Sequence, residues 1–266
     1  MSGRLKGMVA IVTGAGSVGP GWGNGRASAV RFAEEGATVF AVDLNGPALN
    51  ETIDRFDGAE GLIHPYECDV TDAIAVEAMV AECVRTFGRV DILVNNVGGS
   101  RAGGPVEMSE EEWDLQLRYN LTTVFLTCKH VLPHMVAARS GAIVNTASTA
   151  GLRWTGAAQA AYAASKSGVI AFTRSVAVQY APFGIRANTV IPGQLHTPMV
   201  EARLAGQRAG GDVTKLLDER TARIPLGFMG DGRDTANAAL FLASAEAQFI
   251  TATELILDGG MSARCD

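Results

Sequence analysis

Cysteine and histidine are scarce in this sequence. The four cysteines, Cys68, Cys83, Cys128 and Cys265, are scattered without a CxxC pair. Neither a disulfide framework nor a zinc ribbon is indicated, and ordinary reduced thiols are expected. The histidines, His64, His130, His134 and His196, are equally dispersed; His130 and His134 stand four apart but without the intervening glutamate of a zincin helix. No metal site is expected. No apolar run approaches the roughly 18 residues of a membrane span, and Met1-Ser-Gly-Arg-Leu-Lys-Gly7 leads straight into a strand-like segment without a signal-peptide core. The expectation is a cytoplasmic protein with no membrane partner. Lysine and arginine form no block and the net charge is −6, which argues against nucleic acid, whose phosphates need clustered cations. A small soluble ligand is the expected partner.

Glycine and apolar residues are plentiful. The 266 residues include 31 glycines, are 47% hydrophobic and only 19% charged, a balance that suits a buried sheet joined by tight turns and excludes disorder. Short β-branched runs at 9–13, 38–42, 61–64, 90–94, 142–145, 185–190 and 254–257 alternate with helical patterns at 25–35, 47–56, 72–87, 109–136, 160–181 and 234–244. This alternation predicts one α/β domain spanning 1–266, a doubly wound parallel sheet of about seven strands with helices on both faces. Thr71-Asp72 and Ser109 before three glutamates mark helix starts, while Gly36 and Gly88 mark helix ends.

The first strand ends at Thr13 and opens into Gly14-Ala-Gly-Ser-Val-Gly-Pro-Gly-Trp-Gly-Asn-Gly25. Glycines in such a turn let the backbone approach a pyrophosphate at a helix N-terminus. Read literally as Gly14-x-Gly16-x-x-Gly19, the motif would put Pro20, Gly21, Trp22 and Gly23 into the helix, where they do not belong. Read from Gly14 and Gly16 to Gly23 and Gly25, the helix starts near Arg26. A ribose-binding acid is expected roughly 20 residues after the turn, and Asp43 lies 18 beyond Gly25 but 24 beyond Gly19. The second phase is preferred. Val18 to Trp22 is then an insertion, a loop elaboration in which Trp22 is the candidate for contact with a cofactor or a neighbouring subunit. Asp43 would accept ribose hydroxyls and repel a 2′-phosphate, and neither Leu44 nor Asn45 supplies a compensating cation. NAD is therefore expected over NADP.

Tyr162-Ala-Ala-Ser-Lys166 sets a phenol and an ammonium four residues apart, on one face of a helix. A nearby cation lowers a phenol pKa from about 10 toward the range useful for proton transfer.

Taken in order, the glycine turn, Asn95-Asn96-Val97-Gly98, Asn120, Ser148, Tyr162 with Lys166, Pro192-Gly193 and the closing Asp258-Gly-Gly260 make the chain resemble the short-chain dehydrogenase/reductase family over nearly its whole length. The resemblance implies an oxidoreductase with a Rossmann fold that oxidises a secondary alcohol reversibly to a ketone. Its implied catalytic residues are Asn120, holding a water in a proton relay, Ser148, orienting the substrate oxygen, Tyr162 as acid/base, and Lys166, lowering the tyrosine pKa and holding ribose hydroxyls. Its implied cofactor residues are Thr13, Gly14, Gly16, Ser17, Gly23, Asn24 and Gly25 in the turn, then Asp43, Leu44, Asp69, Val70, Asn95, Asn96, Gly98, Pro192, Gly193 and Thr197. The segment 196–225, carrying Met199, Leu204, Leu216 and Leu217 beside Arg203 and Arg208, is expected to cover the substrate. Arg153, Trp154, Gln194, His196 and Met199 are the candidate pocket residues, and a homotetramer paired through 109–136 and 160–181 is implied.

Three departures stand out. Besides the insertion, Val97 replaces the usual alanine, and Ser148 lies 14 residues before Tyr162, one more than is common, with Ala147 in place of the first serine of the usual pair. A non-catalytic dinucleotide sensor on this fold would have little need for all four catalytic positions. Enoyl reductases of the superfamily space their tyrosine and lysine more widely.

Overall fold

Strands and helices alternate along the chain, and the five inner strands of the sheet are buried because the crossovers lay helices against both faces, while the two edge strands stay partly exposed. The computed structural model describes residues 3–58, 62–204, 206 and 212–264. Cys265, Gly61 and Arg208 lie outside the described residues, as do the side chains of Arg203 and Leu204.

Seven strands, β1 (Val9–Thr13), β2 (Thr38–Asp43), β3 (Ile63–Glu67), β4 (Ile92–Asn95), β5 (Gly141–Thr146), β6 (Ile185–Pro192) and β7 (Glu254–Leu257), form one sheet in the order β3-β2-β1-β4-β5-β6-β7. Every pairing is parallel. Alternate residues serve opposite faces: Ile11, Leu93, Ile143 and Ile191 pack with α3 (Ala73–Phe87), α5 (Thr123–Ala138) and α6 (Ala160–Tyr180). Ala10, Val12, Ile92 and Val144 pack with α1 (Asn24–Glu34) and α8 (Gly232–Ala243) on the other face. Two further helices, α2 (Gly46–Ile53) and α4 (Glu110–Leu117), precede β3 and α5, and α7 (Val213–Thr221) lies in the segment after β6.

Helix boundaries follow local chemistry. Asp72 caps α3 by accepting from Ile74 N and Ala75 N, Ser109 caps α4 by accepting from Glu112 N, and Gly88 closes α3 at φ +76°. The expected single helix over 109–136 is instead broken. Between α4 and α5 the chain makes a π-turn, Arg118–Thr122, which contains Asn120. The side chain explains the irregularity, because Asn120 Nδ2 donates to Gln116 O at 2.9 Å and to Gly99 O at 3.1 Å, while its Oδ1 accepts from Gly99 N at 3.0 Å. π-turns of this kind cluster at functional positions.

The glycine turn takes the second of the two phases, with Gly23 as the N-cap of α1. A Cβ on Gly25 would collide with the Gly14 carbonyl, so only glycine lets α1 start this close to β1. The inserted turn is held firmly. Arg26, completely buried, donates to Gly21 O at 3.1 Å, Thr52 Oγ1 at 3.2 Å, Ala48 O at 3.3 Å and Glu51 Oε2 at 2.8 Å. Trp22 packs on the sheet core with the guanidinium carbons of Arg55 and Arg233 at 5.1 and 5.9 Å from its ring centre. Trp22 is thus half-buried against its own chain, and the inserted loop is an anchored element.

Replacing Arg26 with Met should leave these buried carbonyls without a donor and cost about 3 kcal/mol. Thermal unfolding of Arg26→Met should show a midpoint lowered by roughly 6–12 °C; an unchanged midpoint would mean that the guanidinium does not hold the turn.

Candidate active site

The strand order reverses between β1 and β4, and in a doubly wound sheet the crevice outside the carboxyl ends of the strands at such a point is where ligands bind. A cavity of about 450 Å³ opens there, lined by residues that follow the carboxyl ends of β1 to β6.

At one end lies the glycine turn. Gly14, Gly16, Ser17, Gly23, Asn24 and Gly25 line the cavity, and the first turn of α1 has no side-chain cap, so its amides are left to an incoming ligand. Asp43 closes this end: Oδ2 accepts from Gly16 N at 2.9 Å and Oδ1 from Asn45 N at 3.0 Å. A Cβ on Gly16 would lie 2.9 Å from that carboxylate and from Ala48 Cβ, which accounts for glycine there. Leu44, Asp69 and Val70 line the adjacent wall with Cys68, whose thiol burial pushes up to about 11, with Asp69 and Asp72 adding to the effect.

At the other end Ser148, Tyr162 and Lys166 share the wall. Ser148 caps a short 3-10 turn, Thr149–Gly151, its Oγ accepting from Ala150 N at 3.2 Å; this fixes the oxygen and leaves the hydroxyl proton to donate. Tyr162 and Lys166 occupy successive turns of α6, with Nζ 5.8 Å from the phenol ring centre. Lys166 is buried and donates to Thr146 O at 2.8 Å. Burial lowers its pKa to about 8. Gly98 is what admits it: a Cβ there would stand 3.0 Å from Nζ and 2.8 Å from Asn120 Oδ1.

Several expected residues sit behind the wall rather than on it. Asn120 is completely buried and braces the Gly99 backbone. Asn95 joins β4 to β5, donating to Asn145 Oδ1 at 2.9 Å and accepting from Thr127 Oγ1 at 2.9 Å. Thr13 lies under the turn with Oγ1 3.4 Å from Asn96 N. Asn96, Gly98, Pro192, Gly193, Thr197, Gln194 and Met199 line the cavity. Arg153, Trp154 and His196 are not among its lining residues: Arg153 and Trp154 are exposed on the loop after β5, and the His196 ring lies 3.0 Å from Glu201 Oε1. Proximity to Ser148 in sequence did not carry over into the pocket, because the 3-10 turn redirects the chain. Val18, Tyr119, Gln159 and Arg220 line the cavity without having been expected. Arg220 had a signal, since Leu216 and Arg220 stand four apart on the buried face of α7.

The lining also shows what the cavity can hold. Ser17 Oγ, Asn24 Oδ1, Asn96 Nδ2 and Gln194 Oε1 are buried without a hydrogen-bond partner, and all four residues line it. Buried polar atoms are rarely left so, and this mixture of donor and acceptors, strung from the glycine turn to the far wall, fits a dinucleotide with phosphates, hydroxyls and a carboxamide. A cavity of this form, with a lysine-backed phenol at one end, defines a dinucleotide-dependent oxidoreductase.

Comparison with known proteins narrows the class. Residues 20–262 match the family model described as enoyl-(acyl carrier protein) reductase. The 3-oxoacyl-[acyl-carrier-protein] reductase FabG of Thermotoga maritima is 38% identical over 258 residues, 97% of this chain and 99% of that protein. The 2-(R)-hydroxypropyl-CoM dehydrogenase of Xanthobacter autotrophicus is 39% identical over 260 residues, 96% and 98% of the two chains. A crystal structure of a Burkholderia xenovorans protein classed with the short-chain dehydrogenases/reductases superposes with a TM-score of 0.95 at 60% identity over 100% of both chains. The chain belongs to the short-chain dehydrogenase/reductase family.

The buried ammonium has a consequence for stability. With a native pKa near 8 against about 10.4 unfolded, Lys166 holds its proton less tightly in the native state. Stability therefore rises with pH between these values, and below pH 8 the native state carries a penalty of about 3 kcal/mol. Lys166→Met should unfold at a higher temperature than the unmodified chain at pH 7, with the difference vanishing by about pH 10. A midpoint at pH 7 no higher than that of the unmodified chain would show that the ammonium is well solvated.

Proposed function

We propose that the protein is an NAD-dependent dehydrogenase that interconverts a secondary alcohol and its ketone. The observation that carries this reading is the placement of Ser148, Tyr162 and Lys166 on one wall of a cavity whose other end is closed by Asp43 over the glycine turn. When bound, the dinucleotide supplies the hydride acceptor. The turn glycines and the uncapped start of α1 hold its phosphates, and Asp69 and Val70 border its adenine. Asn96, Gly98, Pro192, Gly193 and Thr197 border its nicotinamide half.

In alcohol oxidation the Tyr162 phenolate oxygen takes the substrate hydroxyl proton while the Ser148 hydroxyl donates to the same oxygen and sets its position. The Lys166 ammonium makes the phenolate less costly, and the Thr146 carbonyl fixes that ammonium. Asn120 keeps the Gly99 backbone in place beside it. In ketone reduction the proton moves in the opposite direction from the same phenol.

Asp43 supports NAD over NADP. Among the described residues, Lys166 and Arg220 are the cations that line the cavity. Neither belongs to the segment around Asp43, so a 2′-phosphate there would meet a carboxylate without compensation. Enoyl reduction is not part of the proposal, because Tyr162 and Lys166 lie on successive turns of α6. Trp113, Leu115 and Phe125 are exposed on α4 and α5, which supports a homotetramer paired through these helices and α6.

Tyr162→Phe should lower kcat by about 10²–10⁴-fold with NADH affinity within a few-fold of the unmodified protein; normal turnover by this variant overturns the acid/base assignment. Asp43→Ala should raise KM for NAD by roughly tenfold or more and reduce the preference for NAD over NADP. A native preference for NADP, measured with both coenzymes in parallel, would sink the reading of Asp43.

A further inference from the structure

The inserted segment Val18 to Trp22 is held from behind by Arg26, and its front meets the chain again at the segment after β6. A Cβ on Gly19 would lie 3.5 Å from Pro198 Cβ, and one on Gly21 would lie 3.5 Å from Pro198 Cγ. The two bare glycines thus receive the proline ring on their backbone at van der Waals distance. Val18 and Pro198 both line the cavity, as do Ser17 and Gly23, the residues between which the insertion leaves and rejoins the glycine turn. The contact joins two walls of one cavity.

Both sides of this contact rest on one base, the start of α8. Gly232 lies so close to the insertion that a Cβ there would stand 2.6 Å from Trp22 O and 2.7 Å from Gly23 O. Two residues earlier, Gly230 O accepts from His196 N at 2.8 Å, which fixes the approach to Pro198. Beyond Pro198, Val200 is buried against Leu216 of α7, and its N donates to Thr197 O at 2.8 Å. Insertion and proline are each secured on the side away from the other.

Resting on the dinucleotide reading of the cavity, we propose that Val18, Gly19, Gly21 and Pro198 form a clasp that retains the coenzyme by its diphosphate. A dinucleotide with its adenosine at Asp43 and its nicotinamide by Tyr162 runs its diphosphate past Ser17, Gly23 and the uncapped start of α1, the stretch that the contact bridges. The glycine turn and α1 hold the phosphates from one side; the insertion and Pro198 supply the other. Because Arg26 and Gly232 leave the insertion no room to give way, departure of the coenzyme requires the Pro198 segment to part from it. An element ordered before binding loses little freedom when the ligand arrives, so the clasp acts on release more than on capture.

The test is a displacement experiment. Protein loaded with NADH is mixed with excess ADP-ribose, and the loss of NADH fluorescence gives the release rate; the run is repeated with NADPH, and AMP affinity is measured by calorimetry. Pro198→Ala, which shortens one side of the clasp, should release NADH about fivefold or more faster. Gly19→Ala should release it about twofold or more slower, because its methyl falls at ordinary contact distance from Pro198 and the position has no positive φ. That retardation should vanish in the double variant. AMP lacks a diphosphate, and both single variants should bind it within about twofold of the unmodified protein. Should Pro198→Ala not fold, Val18→Ala should speed release about twofold or more. Release rates unaltered by these substitutions, or faster release from Gly19→Ala, overturn the clasp. AMP binding weakened as much as NADH binding does so too, since the change would then lie in the glycine turn itself. Pro198-dependent release of NADPH from a protein that does not bind NADH would support the clasp and refute the NAD reading, whereas binding of neither coenzyme overturns both.

Discussion

One buried ammonium organises the active site. Lys166 is brought to the cavity wall by α6, and its ammonium donates to the carbonyl of Thr146, the last residue of β5. A buried charge is costly unless the protein supplies dipoles around it. The surroundings are arranged accordingly: Gly98 has no side chain to block it, Asn120 is folded back on Gly99 beside it, and the phenol of Tyr162 lies within cation–π range. Each neighbour comes from a different stretch of chain, yet each is constrained by the same atom. The resulting depression of the lysine pKa is a stability sacrificed for chemistry.

The coenzyme end obeys a different constraint, which is closeness. The turn after β1 must bring α1 so near that Gly25 touches the Gly14 carbonyl, and Asp43 must reach across to Gly16 N. Both are short-range backbone requirements, so they leave signatures in the sequence: glycines at fixed offsets and an acid at the end of the next strand. The inserted Val18 to Trp22 segment leaves that geometry intact because its extra length is secured from behind by Arg26 and not by the ligand-facing side.

The contrast explains what could be read from residues alone. Strand runs and the glycine phase were legible because their periodicity and offsets are local, and the seven-stranded parallel sheet follows from them. The roles of Arg153 and Trp154 were inferred from nearness in sequence to Ser148, but a three-residue 3-10 turn carries them to the surface. Arg220 was missed for the converse reason. It lies far along the chain from Tyr162 and joins the wall only because α7 folds back over the loop after β5 and ties to it through Arg223. Nor could the break between α4 and α5 be seen, since 109–136 reads as helix throughout and the π-turn arises from contacts with a loop remote in sequence.

That π-turn is in effect a phase setting. A straight α-helix turns each successive residue by about 100°, so α4 and α5 would keep one continuous stripe if nothing intervened. The wider turn at Arg118–Thr122 resets the stripe, letting Asn120 face Gly99 while Val124, Cys128 and Val131 still face the sheet. Loss or gain of one residue here would rotate either the asparagine away from the loop or α5 away from the core. The segment is therefore open to exchange of side chains but closed to change in length, and a family alignment through it should be free of gaps even where identity is low.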